Sequence, residues 1–166
     1  MKPRSNPFAA VAIALVSATT LHATTYYWDG TDTTAAVADA NGGAGAWDTT
    51  QTNWNTAATA GSAIAWPSAG TDNDSVFGGT AAGIVTVDAG GVTVNDITFS
   101  TAGYDVTGGP LTLSGAPVVA NAVNATISSS LSGTSGLTKS GAGTLTLSGT
   151  NTGLSGTLTL STVTGA

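Results

Sequence analysis

Cysteine and glutamate are absent from the chain, and charge of either sign is scarce. Without cysteine there is neither a disulfide framework nor thiol chemistry. The cations are Lys2, Arg4 and Lys139, against nine aspartates. Nucleic-acid binding needs clustered Lys and Arg to displace counterions from phosphates, so no nucleic-acid partner is expected. The single histidine is His22. Downstream of it, a serine nucleophile has no imidazole to take its proton. Beyond the N-terminus no run reaches the roughly 18 apolar residues that a membrane-spanning helix needs.

The N-terminus carries three zones in the order of a secretory signal. Lys2 and Arg4 are positive, Phe8 to Leu21 is a short apolar run, and Leu21-His22-Ala23 places a small residue at the cut. Residues 1–23 therefore read as a signal peptide, which predicts a secreted or cell-surface product. Its removal leaves Lys139 as the only cation, and one Lys against nine Asp gives a formal charge of −8. No transmembrane segment remains after that removal.

What is present is threonine, glycine and alternation. The 166 residues include 23 glycines and 31 threonines, and 41% are hydrophobic. In Thr144-Leu145-Thr146-Leu147-Ser148 the leucines share one face and the hydroxyls the other, the period-2 pattern of a half-buried strand. Threonine suits a pleated surface through its branched Cβ. Val85/Val87, Val92/Val94, Ile97/Phe99, Leu111/Leu113 and Val118/Val119 mark further short strands, and Ala125 to Leu131 reads as another. The parity slip at Asn95-Asp96 predicts a bulge or a corner. Leu111-Thr112-Leu113-Ser114-Gly115 recurs 34 residues later as Leu145-Thr146-Leu147-Ser148-Gly149, a sign of repeat architecture.

Residues 24–80 differ from the strand-rich remainder of the chain. They hold all four tryptophans, Trp28, Trp47, Trp54 and Trp66. Tyr26-Tyr27-Trp28 reads as a strand, and Ala35 to Gly45 as a small-residue loop. A solenoid needs its first turn covered, and large aromatics cover efficiently. This segment is therefore read as an N-terminal cap, with residues 81–166 as the solenoid. The alternative is a glycan-binding face with tryptophans stacked on sugar rings.

The expected fold is all-β: a parallel β-helix, or solenoid, of few turns, with a β-sandwich or irregular β-roll as the alternative. At about 20 residues per turn, residues 84–161 would make three to four turns, near the minimum for a stable solenoid. Two strands, Leu137-Thr138-Lys139 and Thr144 to Ser148, flank a glycine turn at Gly141 and Gly143. This stretch resembles the autotransporter-associated β-strand repeat of secreted bacterial surface proteins. The matching residues are Gly136-Leu137-Thr138-Lys139, Gly141 to Leu147 and Gly149-Thr150-Asn151, with the best match spanning 135–161. The Tyr27-Trp28-Asp29 start, Asn53-Trp54 and the Asp-led strand ending at Phe77 resemble the opening of such passengers more loosely. The resemblance implies a right-handed parallel β-helix, in a chain that is either a fragment of a longer autotransporter-like protein or a short stand-alone passenger.

Catalytic chemistry finds little support. Lys139 is the one lysine that could serve a serine nucleophile, and it lies on a strand that matches the repeat. Paired carboxylates suit polysaccharide cleavage, but the cations that would bind acidic sugars are missing, so an enzyme is the remote alternative. No catalytic or cofactor-binding residue is assigned. Asp72 and Asp74, in Asp72-Asn73-Asp74-Ser75, are weak calcium candidates, since calcium takes six to eight oxygens. The same residues can fix a turn by side-chain hydrogen bonds. Gly42-Gly43-Ala44-Gly45-Ala46 approaches a calcium-binding nonapeptide, with Trp47 where its aspartate should stand. The expected function is a non-enzymatic, adhesin-like surface or extracellular passenger. Its expected partners are a second copy through an open C-terminal edge, and a cell-surface glycan.

The order of the three N-terminal zones predicts cleavage after Ala23. Intact-mass analysis of exported protein should find Thr24 as the first residue. A mature product that retains Met1 to His22 would remove the basis for export.

Overall fold

The computed structural model describes residues 23–30, 39–68 and 72–161. The signal-peptide expectation lies outside the described residues except for Ala23. Every regular element described is a strand. The chain begins with β1 (Thr24–Trp28), β2 (Gly42–Trp47), β3 (Trp54–Asn55) and β4 (Ala63–Ile64). Four three-strand turns come next. They comprise β5 (Asn73–Phe77), β6 (Ala81–Val87) and β7 (Val92–Val94); β8 (Ile97–Phe99), β9 (Asp105–Gly108) and β10 (Leu111–Leu113); β11 (Val118–Asn121), β12 (Ala125–Ile127) and β13 (Leu131–Gly133); and β14 (Leu137–Ser140), β15 (Leu145–Leu147) and β16 (Gly153–Leu154). Strand β17 (Leu158–Ser161) opens a further turn.

Equivalent strands pair in parallel and build three sides. The first side runs β1-β5-β8-β11-β14-β17, the second β2-β6-β9-β12-β15, and the third β7-β10-β13-β16. Beyond β1 the first side is extended by β3 and β4, both antiparallel. Ser75, Ile97, Val119, Lys139 and Leu160 lie in one register, so each turn advances the chain by 20–22 residues. This is the expected β-solenoid, and the sandwich alternative falls with the parallel pairing.

Stacked turns place like side chains over like. Val85, Val106, Ile127 and Leu147 form one inward column on the second side. Phe77 and Phe99 stack at 5.3 Å between ring centroids and 20° between planes, and Asn121 continues their column. Its amide donates to the Val123 carbonyl (3.1 Å) and pins the next corner. The parity slip at Asn95-Asp96 is a corner between the third and first sides, because β7 ends at Val94 and β8 begins at Ile97.

Three expectations change. Ala125 to Leu131 is two strands on different sides, turned at Ser128 to Ser130 without a glycine. The glycine-rich run ending the expected loop is strand β2, which also removes the nonapeptide reading. Gly42 sits there at φ +77°, and a Cβ on it would collide with the carbonyls of Gly78 and Ala81 and with the Tyr104 hydroxyl. Leu145 and Leu147 face inward as the alternation requires, yet both are only partly buried. They belong to the last complete turn among the described residues, and no described strand of the second side lies above them.

Burial from turn to turn thus orders the cost of truncation. Leu131→Ala, at a residue 1% exposed, should cost about 2–5 kcal/mol. Leu147→Ala should cost clearly less, and Thr146→Ala on the exposed face under about 1 kcal/mol. Urea melts of the three variants measure this. A loss for Leu147→Ala equal to that for Leu131→Ala would mean that the last turn is as well covered as the third.

Candidate functional site

The four tryptophans gather at the N-terminal end. Trp54 lies 4.7 Å from Trp66, 5.0 Å from Trp28 and 5.1 Å from Trp47, ring centroid to centroid. Phe77 meets Trp28, Trp47 and Trp54 from the next turn. All four indoles are 0–1% exposed. The sugar-stacking expectation needs at least two tryptophans open on one face, and the structure places none there. The physical reason is that, among the described residues, the first turn has no third strand. Aromatic rings fill the space that a strand of the third side would have covered.

These side chains also satisfy free strand edges. Strand β2 has β6 on one side and no strand on the other. Trp28 Nε1 donates to the Gly43 carbonyl at 2.9 Å, and Asn53 Nδ2 to the Ala46 carbonyl at 2.7 Å. Strand β7 has only β10, and Trp66 Nε1 donates to its Thr93 carbonyl at 3.1 Å. The buried Asp29 carboxylate accepts from the Asn41 N–H (2.9 Å) and from Asn55 Nδ2 (3.0 Å). Tyr104 ties three turns together. Its hydroxyl accepts from the Gly43 N–H (3.2 Å) and donates to the Gly78 carbonyl (2.7 Å), with the Ala81 carbonyl at 3.1 Å. Burial pushes its pKa up to about 12, against the opposing pull of the Gly43 N–H.

The calcium candidates lie on the first side. Asp74 Oδ1 accepts from Asn95 Nδ2 (2.8 Å) and from the Asp96 N–H (3.1 Å). One turn on, Asp96 Oδ1 accepts from the Val118 N–H (2.8 Å). The carboxylates thus bond from turn to turn, and the structure joins Asp74 to Asn95 and Asp96. Asp72 receives the Thr24 N–H on its backbone carbonyl (2.9 Å). Among the described residues no three acidic, histidine or cysteine side chains gather as a metal would need. Burial, then the neighbouring Asp74 charge, hold the Asp96 carboxyl above the ordinary range, while the Val118 N–H pulls the other way. Lys139 donates from Nζ to the Gly141 carbonyl at 2.8 Å, a corner contact rather than a base beside a nucleophile.

Surface features built only by the stacking of turns escaped the sequence reading. A shallow trough of about 340 Å³ on the second side is lined by Asp105, Asn124, Thr126, Thr144 and Thr146 among others. Beside it Ser148 Oγ donates to Ser128 Oγ (3.0 Å), which donates to Asp105 (2.8 Å). These residues are far apart in sequence and meet only through stacking. Asn151, a residue of the matched repeat, accepts the Leu131 N–H on its side chain at 2.8 Å. At the C-terminal end, Leu158 and Leu160 are 61% and 70% exposed.

Comparison with known proteins gives one relative of note. The adhesin BmaC autotransporter of Brucella suis biovar 1 (strain 1330) is 40% identical over 142 residues, which cover 84% of this chain and 4% of that protein. The chain thus spans about 4% of the length of the curated relative it matches. No family model matches the chain, and no solved structure matches it. The likeness covers most of the chain, and the fold beneath it is a β-solenoid. The resemblance to autotransporter surface proteins read from Gly136 to Asn151 therefore holds.

Because Tyr104 is held protonated by burial, the folded state binds that proton more tightly than the unfolded chain. Stability should therefore fall as pH rises from the ordinary tyrosine value of about 10 through about 12. Ultraviolet titration should show one of the three tyrosines ionising late. Tyr104→Phe should remove that step and cost roughly 1–3 kcal/mol, since the Gly43 N–H loses its acceptor. Three coincident titrations in the folded protein would contradict the assignment.

Proposed function

We propose that this chain is a non-enzymatic segment of an exported, autotransporter-like passenger with an adhesin-like role at the cell surface or outside the cell. The observation that carries this reading is the 40% identity to an adhesin autotransporter over 84% of the chain. Within it, residues 1–23 serve as signal, 24–80 as the capped entry and 81–166 as the solenoid shaft. The chemistry of the faces supports a binding rather than a catalytic role. Outward positions carry Thr, Ser, Asn and Asp in columns, such as Asp105-Thr126-Thr146 on the second side. Such columns offer repeated hydrogen-bonding groups over an extended surface, whereas catalysis needs unlike groups converging on one atom. With the tryptophans inside, any glycan contact falls to these polar faces, the Asp105–Thr146 trough on the second side among them.

Beads carrying residues 24–166 should attach to at least one of a set of glycan-coated, protein-coated and cell-covered surfaces several-fold above beads carrying an unrelated protein. No reducing ends should appear in the glycan wells. Attachment equal to the control on every surface overturns the adhesin-like reading, and released sugar overturns the non-enzymatic one.

A further inference from the structure

The trough of about 340 Å³ on the second side crosses three successive turns. Asp105 belongs to the first, Asn124 and Thr126 to the next, and Thr144 and Thr146 to the third. Its two planar polar groups are each held by a different turn. Asp105 Oδ1 accepts from Ser128 Oγ at 2.8 Å, and Ser148 Oγ steadies that hydroxyl from the turn beyond at 3.0 Å. Asn124 Oδ1 accepts from the Thr144 N–H at 2.9 Å, which fixes the amide and with it the direction of its nitrogen. Groups fixed before a ligand arrives lose little freedom on binding it. Two other recesses differ. In one, the carboxylates serve their own turns, Asp48 taking the Thr50 and Gln51 N–H groups and Asp88 that of Gly90. The recess beside Trp66 is lined by no side-chain carboxylate or amide.

We propose that this trough holds a neutral saccharide, with uncharged hexose or N-acetylhexosamine units set against Asp105 and Asn124. The inference rests on the adhesin-like reading above. A sugar presents hydroxyls that both donate and accept. The Asp105 carboxylate accepts, the Asn124 amide nitrogen donates, and the hydroxyls of Thr126, Thr144 and Thr146 do either. A hydrogen bond to the charged acceptor is the stronger kind. The volume is at the low end for small-ligand sites, which suits the end of a saccharide chain. Charge then selects among sugars. Asp105 is the one charged residue lining the trough, and Lys139 is engaged by the Gly141 carbonyl. Sialic acid, a uronic acid or a sulfated sugar would set a second anion beside Asp105 with no cation to pair it. A peptide main chain fits poorly, because it would need an open strand edge. Strands β9 and β12 are each paired on both edges.

Beads carrying the exported chain test this on printed neutral oligosaccharides, on the same oligosaccharides capped with sialic acid or sulfate, and on protein-coated wells. They should attach to at least one neutral oligosaccharide and about tenfold less to its sialylated or sulfated form. Asp105→Asn keeps the shape and an acceptor for Ser128 but loses the charge, and should weaken neutral attachment about fivefold. Thr146→Lys places a cation in the trough and should narrow the difference between neutral and sialylated forms. Thr112→Lys adds the same charge to an exposed position on the third side and should change neither. Near-ultraviolet circular dichroism, to which Tyr104 in the trough wall contributes, should match wild type in every variant and so report folding. Attachment confined to the protein-coated wells overturns the proposal and leaves the adhesin-like reading standing, whereas attachment to nothing overturns both. Preference for the sialylated or sulfated forms overturns the proposal too. So does glycan attachment that folded Asp105→Asn and Thr146→Lys leave unaltered, or that Thr112→Lys changes equally.

Discussion

Each turn of this molecule is buried by its own three sides, whose side chains meet inside, and by the turn below and the turn above it. The inward column Val85, Val106, Ile127 and Leu147 shows the consequence. The first three are essentially inaccessible and the fourth is half-buried, although all four face the same way. Orientation is local and arises from alternation, whereas burial is inherited from a neighbour 20–22 residues away. Stability in such a stack is close to a sum of turns and turn-to-turn contacts, so its two ends are where the sequence must depart from the pattern.

At the N-terminal end that departure is aromatic and polar together. Four indoles supply apolar area quickly, on the order of 150–250 Å² each. Area alone would leave strand edges unbonded, at a cost of roughly 1–3 kcal/mol for each buried unsatisfied group. Trp28, Trp66 and Asn53 answer both demands, since each fills space and donates to a strand carbonyl. The solution is incomplete. Trp47 Nε1 and Trp54 Nε1 are buried among the rings without a protein partner. Ring contact at 5.1 Å between these two residues, worth about 0.5–1.5 kcal/mol, recovers part of that loss.

Much of this was legible in the sequence, because alternation and corners are local signals. The slip at Asn95-Asp96 marks a true corner, and the leucines of Leu145 to Leu147 do point inward. The 34-residue recurrence of Leu-Thr-Leu-Ser-Gly is more deceptive. Leu111 lies on the third side and aligns with Leu131, while Leu145 lies on the second and aligns with Ala125. The pentapeptide therefore encodes a kind of strand, not the period of the stack. Strand β2 was hidden because glycine signals turns in general. Gly42 is required instead by the close approach of Tyr104, 62 residues further along the chain. The direction of the tryptophans could not be read either. Exposed and buried indoles leave the same spacing, and only their packing against one another and against Phe77 decides between them.

The lateral faces obey a different rule from the core. Their side chains bond between turns, as in Asp74 to Asp96 to Val118 and in Ser148 to Ser128 to Asp105. Each such bond ties a turn to its neighbour without using core volume. A surface built this way tolerates exchange among Thr, Ser, Asn and Asp, because the backbone ladder holds the turn whichever of them is present. It also sets a limit on charge. Asp96 sits one turn from Asp74 with part of its surface covered, and burial with that repulsion already disfavours its ionised form. A third aspartate in register at Val118 would add a further like charge to the column and remove nothing from it. Hydroxyls and amides carry no such penalty at any number of turns. The scarcity of charge in the sequence is thus the composition that a stack of outward-facing columns favours.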